Sequence, residues 1–298
     1  MKKLIFTSFT LLFSMVAQAE INILACEPEW ASLSQELGGD EITVTSATTG
    51  LQDPHYIQAR PSLIAKARRA DLLVCTGAEL ESGWLPLLQR KAGNAAIQTG
   101  ASGYFMATHH VHLMNIPTSL DRSHGDVHAA GNPHIQTSPI KILEVAQALS
   151  QRLQAIDSDN AAVYQQRWQD FSQRWQAAIE KWQQQAAPLK GLPIVVQHEN
   201  WVYLFDWLSL NQVAVLEAKP GVPPTVEDLN NVLNQLKTTP AKLVIHAEYQ
   251  PPRATDWLVG KSNITKVTLP FTVGGNQHSQ DLFSLFDDTI QRLLDANK

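Results

Sequence analysis

The sequence lacks the features that mark several large functional classes. Beyond its first twenty residues it has no apolar run long enough for a membrane helix, and it shows no repeat array. It carries no HExxH, GxSxG or P-loop motif. Its formal net charge is −5, which argues against a nucleic-acid partner. These absences favour a protein outside the membrane and leave a binding function open.

The N-terminus has the pattern of a secretory signal peptide. Lys2 and Lys3 precede a short apolar run, and "AQA" at 17–19 is a small-residue cleavage site. We therefore assign 1–19 to a signal peptide and expect a soluble protein exported to the periplasm. A lipoprotein ending its leader at Cys26 is the alternative, but Glu20 and Asn22 interrupt the apolar run before that cysteine.

Only two cysteines occur, and each ends an apolar run of strand length. Cys26 closes "INILAC" and Cys75 closes "ADLLVC", so both are expected at the carboxyl ends of neighbouring strands. In an oxidising compartment this predicts a disulfide, worth about 4 kcal/mol on the loop-entropy account. Two buried free thiols are the alternative.

Strand-length apolar runs alternate with helical patterns over most of the chain, which predicts an α/β fold with mainly parallel sheets. Two lobes are expected, because the chain exceeds a typical single domain. We place them at 20–156 and 189–298, with a long rigid spine helix at 157–188 joining them. The predicted strands are "INILA", "ITVTS", "DLLVC" and "VHLMN" in the first lobe, then "IVVQ", "QVAVL", "LVIHA" and "KVTL" in the second.

The spine prediction follows from a regular stripe of large apolar residues. Steps of three and four residues separate its members, as on one face of an α-helix. Their regular spacing indicates packing rather than a ligand cage. They are Tyr164, Trp168, Phe171, Trp175, Ile179 and Trp182.

Two short motifs place a histidine directly after an Asx-Pro pair. They are "DPH" ending at His55 and "NPH" ending at His134. Proline fixes its own φ, and Asp53 and Asn132 can accept hydrogen bonds from the backbone just downstream. Such a stiffened loop suits a metal ligand, because metal–nitrogen distances tolerate little variation.

The candidate ligands share one end of the predicted sheets. His55 and His134 follow first-lobe strands through loops, whereas His198 directly follows "IVVQ". Ligands of doubly wound sheets bind outside the carboxyl ends of the strands. Three imidazoles and a carboxylate suit zinc in a tetrahedral shell, whereas manganese favours more oxygen ligands. His246 alternates within a strand and is expected to be structural.

These motifs, in this order, resemble the periplasmic metal-binding proteins of ABC transporters, specifically the zinc-binding group with a rigid helical spine. The resemblance covers the mature chain through "DPHYIQARPS", "ARRADLLVCTGAELESGWLP", "GNPHI", "QHENWVYLFDWL" and "KPGVPPT". It implies that His55, His134 and His198 are ligands of transported Zn²⁺. It also implies a carboxylate before the last helix, best matched by Asp281, with Glu248 and then His278 as alternatives.

The resemblance further implies a His-containing loop near the site. Its histidines are His109, His110, His112, His124 and His128, of which the last two are nearer His134 in sequence. Such a loop would collect zinc weakly or support the main site, unless it is only a polar loop.

The function implied is capture of Zn²⁺ and delivery to an inner-membrane ABC permease by a monomeric protein that is not an enzyme. A periplasmic zinc chaperone is a further expected partner. Two alternatives stay open. One is a manganese or iron carrier of the same family, and the other is a periplasmic zinc hydrolase using the three histidines with Glu248 as general base.

Overall fold

The computed structural model describes residues 20–118 and 125–298, so the predicted signal peptide and His124 lie outside the described residues. Two four-stranded sheets form the framework, with strand orders β2-β1-β3-β4 and β6-β5-β7-β8. All the paired strands are parallel. The strands are β1 (Ile21–Ala25), β2 (Ile42–Ser46), β3 (Leu72–Cys75), β4 (Tyr104–Met106), β5 (Pro193–Val196), β6 (Asn211–Val215), β7 (Leu243–Ala247) and β8 (Thr265–Leu269).

Helices flank both sheets, which confirms the predicted fold class. None of the described helices combines the length and hydropathy needed to cross a membrane. The helices are α1 (Pro28–Gly38), α2 (Pro61–Arg69), α3 (Leu85–Ala92), α4 (Pro139–Ile156), α5 (Ala161–Ala186), α6 (Val202–Leu208), α7 (Val226–Gln235), α8 (Arg253–Val259) and α9 (Leu282–Ala296).

The long helix α5 is the predicted spine, about 39 Å long at about 1.5 Å per residue. The Trp175 indole N–H donates to the Pro139 carbonyl at 2.8 Å, on the first-lobe side. The Trp182 indole N–H donates to Asp287 of α9 at 2.7 Å, on the second-lobe side. The predicted apolar stripe therefore packs against both lobes, and its tryptophans serve packing as expected. Of that stripe, Trp168 is only partly buried.

The largest hydrophobic core is continuous across the two lobes. Strand residues alternate, so Ile23 of β1 and Ile245 of β7 face the spine cluster. Leu24 of β1 packs instead with α2 and α3, and Val244 of β7 packs with α7 and α8. In this shared core both sheets pack against the same helices, among them the spine α5.

The predicted disulfide is present between Cys26 and Cys75, whose Cα atoms lie 4.7 Å apart. It joins the ends of β1 and β3, which pair directly in the sheet. Both cysteines are fully buried.

One predicted strand is wrong. Residues 111–115, "VHLMN", form no regular element, and the fourth strand of the first sheet is Tyr104–Met106. This strand pairs with β3, with Leu73 opposite Tyr104 and Cys75 opposite Met106. A 3-10 turn at Ala107–His110 follows it directly. The chain has therefore left the sheet before Val111, although the apolar Val111, Leu113 and Met114 resemble a short strand.

Candidate metal site

The three predicted histidines converge at the carboxyl ends of the two sheets. His55 lies in the loop after β2, His134 lies in the connection between β4 and α4, and His198 lies just after β5. The ring centroids of His55 and His134 are 5.7 Å apart, and those of His134 and His198 are 5.8 Å apart. The His55 and His198 rings are 6.3 Å apart. The histidines of both lobes thus face one point in the cleft.

A fourth histidine, His128, completes the group. Its ring centroid lies 5.4 Å from that of His55 and 6.3 Å from that of His134. Its Nε2 atom lies 3.4 Å from Nε2 of His55. Potential ligand atoms of His55, His128 and His134 all fall within 4.8 Å of one another. Imidazoles around a tetrahedral zinc would have ring centroids about 5 Å apart, close to the 5.4 Å between His55 and His128 and the 5.7 Å between His55 and His134.

Both Asx-Pro-His motifs adopt the predicted turns. The His55 backbone N–H donates to Oδ1 of Asp53 at 3.0 Å, and the His134 backbone N–H donates to Oδ1 of Asn132 at 3.0 Å. The Asn132 side chain also donates to the Glu199 carbonyl of the second lobe at 2.7 Å. These bonds hold each histidine at a fixed place on its loop.

Carboxylates fix the orientation of two of the rings. Nδ1 of His55 lies 2.7 Å from Oδ1 of Asp53, and Nδ1 of His198 lies 2.8 Å from Oε2 of Glu217. A carboxylate on one ring nitrogen leaves the other nitrogen free to bind a metal, an arrangement typical of histidine–zinc sites.

Glu217 is absent from the sequence prediction, although a signal for it was available. It comes two residues after the end of β6, "NQVAV", at the sheet end where His198 follows β5. The same rule that selects His198 therefore selects Glu217.

The buried histidines are held neutral by their surroundings. Burial lowers the pKa of His134 well below its ordinary range, and the nearby His55, His198 and His128 add to this effect. Burial also lowers the pKa of His128 to about 4, with a further contribution from His55. Burial alone would raise the pKa of Asp53, but its hydrogen bond to His55 brings it below the ordinary value. Neutral imidazoles beside ionised carboxylates form a donor set ready for a cation.

His134 is the most deeply enclosed of the four histidines, with only 1% of its surface exposed. Its ring packs edge-on against Phe271 at 5.4 Å. Among the described residues, its Nδ1 atom has no hydrogen-bond partner. A buried nitrogen without a hydrogen-bond partner costs free energy, and a metal or water bound at that atom would relieve the cost.

Asp281 lies elsewhere. It is the exposed N-cap of α9, where its Oδ1 accepts from the Ser284 backbone N–H at 2.7 Å. It lines a separate surface pocket with residues of α1 and Gly274. The structure therefore does not bring Asp281 together with the histidines.

The two alternatives for that position also lie outside the cluster. Glu248 approaches Arg292 of α9 at 3.9 Å. His278 is exposed and lies beside Gln277 and Asp287.

The remaining histidines are spread over other surroundings. His109, His110 and His112 are exposed, and the ring of His110 stacks on Phe105 at 4.6 Å. His246 is buried within β7 with its Nε2 3.3 Å from the Thr268 hydroxyl, and burial lowers its pKa to about 4. The expectation of a structural His246 agrees with this placement.

A cavity of about 870 Å³ connects the cluster with solvent on the second-lobe side. His55 and His198 line it, and Pro223, Leu229 and Trp257 form part of its apolar wall. Its charged lining residues are three carboxylates and one cation, Asp53, Asp126, Glu217 and Arg253, and this acidic balance favours entry of a cation.

The chain is similar in sequence and fold to known metal-transport proteins. It is 22% identical to the high-affinity zinc uptake system protein ZnuA of Yersinia pestis over 72% of each chain. A manganese ABC transporter substrate-binding lipoprotein, scaA of Streptococcus gordonii, is 26% identical over 50% of this chain and 46% of its own. A crystal structure of ZnuA superimposes with a TM-score of 0.76 at 19% identity, covering 94% of this chain and 100% of that one.

The profile of one family, described as zinc-uptake complex component A, periplasmic (ZnuA), matches residues 23–296. That range includes the two sheets apart from the first two residues of β1, the spine and all four clustered histidines. The chain therefore belongs to the ZnuA family and is a metal-binding substrate-binding protein of an ABC transporter.

Proposed function

We propose that this protein captures Zn²⁺ between its two lobes with His55, His128, His134 and His198. The observation that carries the proposal is that potential ligand atoms of His55, His128 and His134 lie within 4.8 Å of one another, with the His198 ring of the second lobe 5.8 Å from that of His134. Asp53 and Glu217 support two of the rings from behind. Neutral nitrogen ligands with carboxylates in the outer layer are the usual surroundings of zinc.

The proposal assigns the fourth position to His128 instead of Asp281. His128 is within ligand distance of His55 and His134, whereas the carboxylate of Asp281 caps α9. The two positive charges of the ion are then balanced by the carboxylates of Asp53 and Glu217, each of which is hydrogen-bonded to a ligand ring. In a site of four neutral ligands, the negative charge that compensates the ion thus lies on residues that contact the ligands and not the ion itself.

Zinc is favoured over manganese by the donor atoms. Relatives are named for both metals, so the family alone does not choose between them. Manganese favours oxygen ligands, and here the nearest carboxylates are engaged with Nδ1 atoms of the histidines. Nitrogen-only coordination therefore supports a zinc carrier.

Delivery to an inner-membrane ABC permease is the role proposed for the loaded protein. Four protein ligands leave no coordination position for a reactive water, which favours carriage over hydrolysis. The hydrolase alternative also needs Glu248 at the metal, and Glu248 approaches Arg292 instead. We further propose a monomeric protein in the periplasm, loaded with or without a zinc chaperone.

Metal analysis of protein purified from the periplasm, followed by competition with a coloured zinc chelator, tests the proposal. We expect one zinc per chain. Each of His55→Ala, His128→Ala, His134→Ala and His198→Ala should weaken zinc binding by tenfold or more, because each removes a ligand. His112→Ala is the matched control, since His112 is exposed on the same connection as His128. Manganese in the purified protein, or parental zinc affinity in all four variants, would overturn the proposal.

A further inference from the structure

The loop that carries His128 touches both lobes. We call residues 125–131 the His128 loop. The Asp126 backbone N–H donates to the Pro220 carbonyl of the second lobe at 2.9 Å. The Tyr56 hydroxyl of the first lobe donates to Oδ2 of Asp126 at 2.8 Å. Asp126 is thus bonded on one side through its backbone and on the other through its side chain.

Two glycines permit this close approach. Gly125 has φ +90°, and a Cβ at this position would collide with the Pro220 carbonyl. Gly221 has φ +74°, and a Cβ there would collide with Oδ2 of Asp126. Each glycine therefore lies against the segment that contains the other glycine. The His128 loop and the turn at 219–222 fit only because both positions lack a side chain.

The same turn is bonded to the carboxylate that orients His198. The Gly221 backbone N–H donates to Oε2 of Glu217 at 3.0 Å, and this oxygen lies 2.8 Å from Nδ1 of His198. Hydrogen bonds thus run from Tyr56, the neighbour of His55, through Asp126 and the turn to His198. The path links a histidine of the first lobe to one of the second without passing through the metal position.

The other end of the His128 loop is tied to the first lobe. The Ala129 backbone N–H donates to Oε2 of Glu79 at 2.7 Å. Glu79 and Ala78 both have positive φ, 68° and 47°, although neither is glycine. Backbone in this region is strained and persists only where its surroundings require it. This strained pair presents Glu79 to the loop.

We propose that Asp126 is a positioning residue that latches the His128 loop across the cleft and so sets the rate at which the ion leaves. The proposal rests on the proposed function. Asp126 does not bind the ion in this scheme, which assigns all four ligand positions to histidines. Its contacts hold His128 and the turn behind Glu217 in place together. Loss of the latch therefore frees two ligand positions at once while leaving the ligands themselves intact.

Gly221→Ala tests the latch, and Gly191→Ala is its matched control. Gly191 has the same φ, +74°, but a Cβ there would meet nothing within 4 Å. Both variants carry the same backbone strain, so only Gly221→Ala displaces the Asp126 carboxylate. Release of zinc after mixing with excess chelator should be about tenfold faster in Gly221→Ala and parental in Gly191→Ala.

Two readouts separate positioning from a general structural defect. The rate of zinc entry should stay parental in Gly221→Ala, and the visible absorption spectrum of the Co²⁺-loaded variant should match the parent, because the four ligands are unchanged. Tyr56→Phe should also speed release. Combining it with Gly221→Ala should add little, since both variants disturb the same contact, that of the Asp126 carboxylate.

The proposal is overturned if Gly221→Ala and Tyr56→Phe release zinc at the parental rate, or if Gly191→Ala speeds release as much as Gly221→Ala. An altered Co²⁺ spectrum would also overturn it, because the ligand set would then have changed. If the four histidine variants keep parental zinc affinity, the proposed function itself fails. These results are distinguishable, since the histidine variants test the ligands and the glycine pair tests only the latch.

Discussion

At the scale of single residues, Asp281 offers a decisive test, because a helix cap and a metal ligand respond differently to the same substitutions. Its Oδ1 accepts from the Ser284 backbone, and the Ser284 side chain bonds back to the Asp281 backbone. We expect Asp281→Ala to lower the free energy of unfolding by about 1 kcal/mol, the usual cost of a lost N-cap. Asp281→Asn should be nearly neutral, because asparagine caps about as well. Urea unfolding of the zinc-free protein measures both.

Zinc competition on the same variants supplies the second half of the test. Both Asp281 variants should bind zinc as the parent does, since their side chain lies outside the histidine cluster. His128→Ala is the positive control. A marked loss of affinity in Asp281→Asn would instead return Asp281 to the metal and remove His128 from the proposed set.

The histidines show which part of a site can be predicted from sequence. Asx-Pro-His motifs have local causes, so the turns at Asp53 and Asn132 follow from their own residues. His128 has no such motif. It lies on an irregular connection between β4 and α4, whose path depends on contacts such as Asp126 with Pro220. Sequence distance from His134 indicates only that His128 is a candidate.

At the scale of elements, the spine makes a prediction about stability. Trp175 is fully buried, and its ring packs against Phe171, Phe283 and Phe286. We expect Trp175→Ala to lower the free energy of unfolding by about 3–5 kcal/mol, because it opens a large cavity between the two lobes. Gln176→Ala, on the exposed face one residue later, should change it by less than about 0.5 kcal/mol.

Urea unfolding followed by circular dichroism measures the Trp175 effect. Because the core cluster is continuous across both lobes, the parent should unfold in one transition. Two separate transitions in the parent, or a Trp175→Ala cost no larger than that of Gln176→Ala, would contradict a shared spine core.

Elements with local boundary signals are predicted well. Proline at the first position and a helical spacing of Leu63 and Ala67 mark α2 at Pro61–Arg69 from its own residues. The error at 111–115 has the opposite cause. Strand β4 has only three residues, and its identity depends on pairing with β3. This pairing is non-local and is not visible in the local sequence. The longer apolar run at 111–115 is therefore the stronger strand signal, and the prediction based on it is wrong.

At the scale of the whole molecule, three buried glutamates lie near the disulfide, and one of them, Glu29, is bonded to the second lobe. Glu27, Glu29 and Glu81 are each at most 3% exposed. Glu27 and Glu81 accept hydrogen bonds from the Thr76 backbone N–H. The Thr272 hydroxyl of the second lobe donates to Glu29 of α1. Three carboxyls in one buried group cannot all ionise cheaply, so protonation stabilises this contact.

The buried glutamates predict that stability falls as pH rises through the neutral range. Burial raises the pKa of Glu29 from its ordinary value of 4.5 to about 7, the Thr272 hydrogen bond lowers it in part, and Glu81 raises it further. Burial likewise raises the pKa of Glu81 to about 7. Between about pH 4.5 and about pH 7 the folded protein therefore binds more protons than the unfolded chain. The stability contributed by the protonated Glu29 and Glu81 is fully present below about pH 4.5 and is lost as pH rises through about 7.

Glu29→Gln isolates this effect, because glutamine keeps an oxygen for the Thr272 hydroxyl but cannot ionise. His128 and His246, with pKa values lowered to about 4, act in the opposite direction between about pH 4 and 6.5. They are common to variant and parent, so they cancel in the difference. Relative to the parent, Glu29→Gln should gain stability from about pH 5 to about pH 7 and level off above that. Urea unfolding of zinc-free, disulfide-intact protein across this range measures the gain. Glu180→Gln, on the exposed face of the spine, should show a flat difference. A flat difference for Glu29→Gln as well would mean that Glu29 ionises in the folded state as readily as in the unfolded chain, and that the contact between α1 and Thr272 does not depend on a proton.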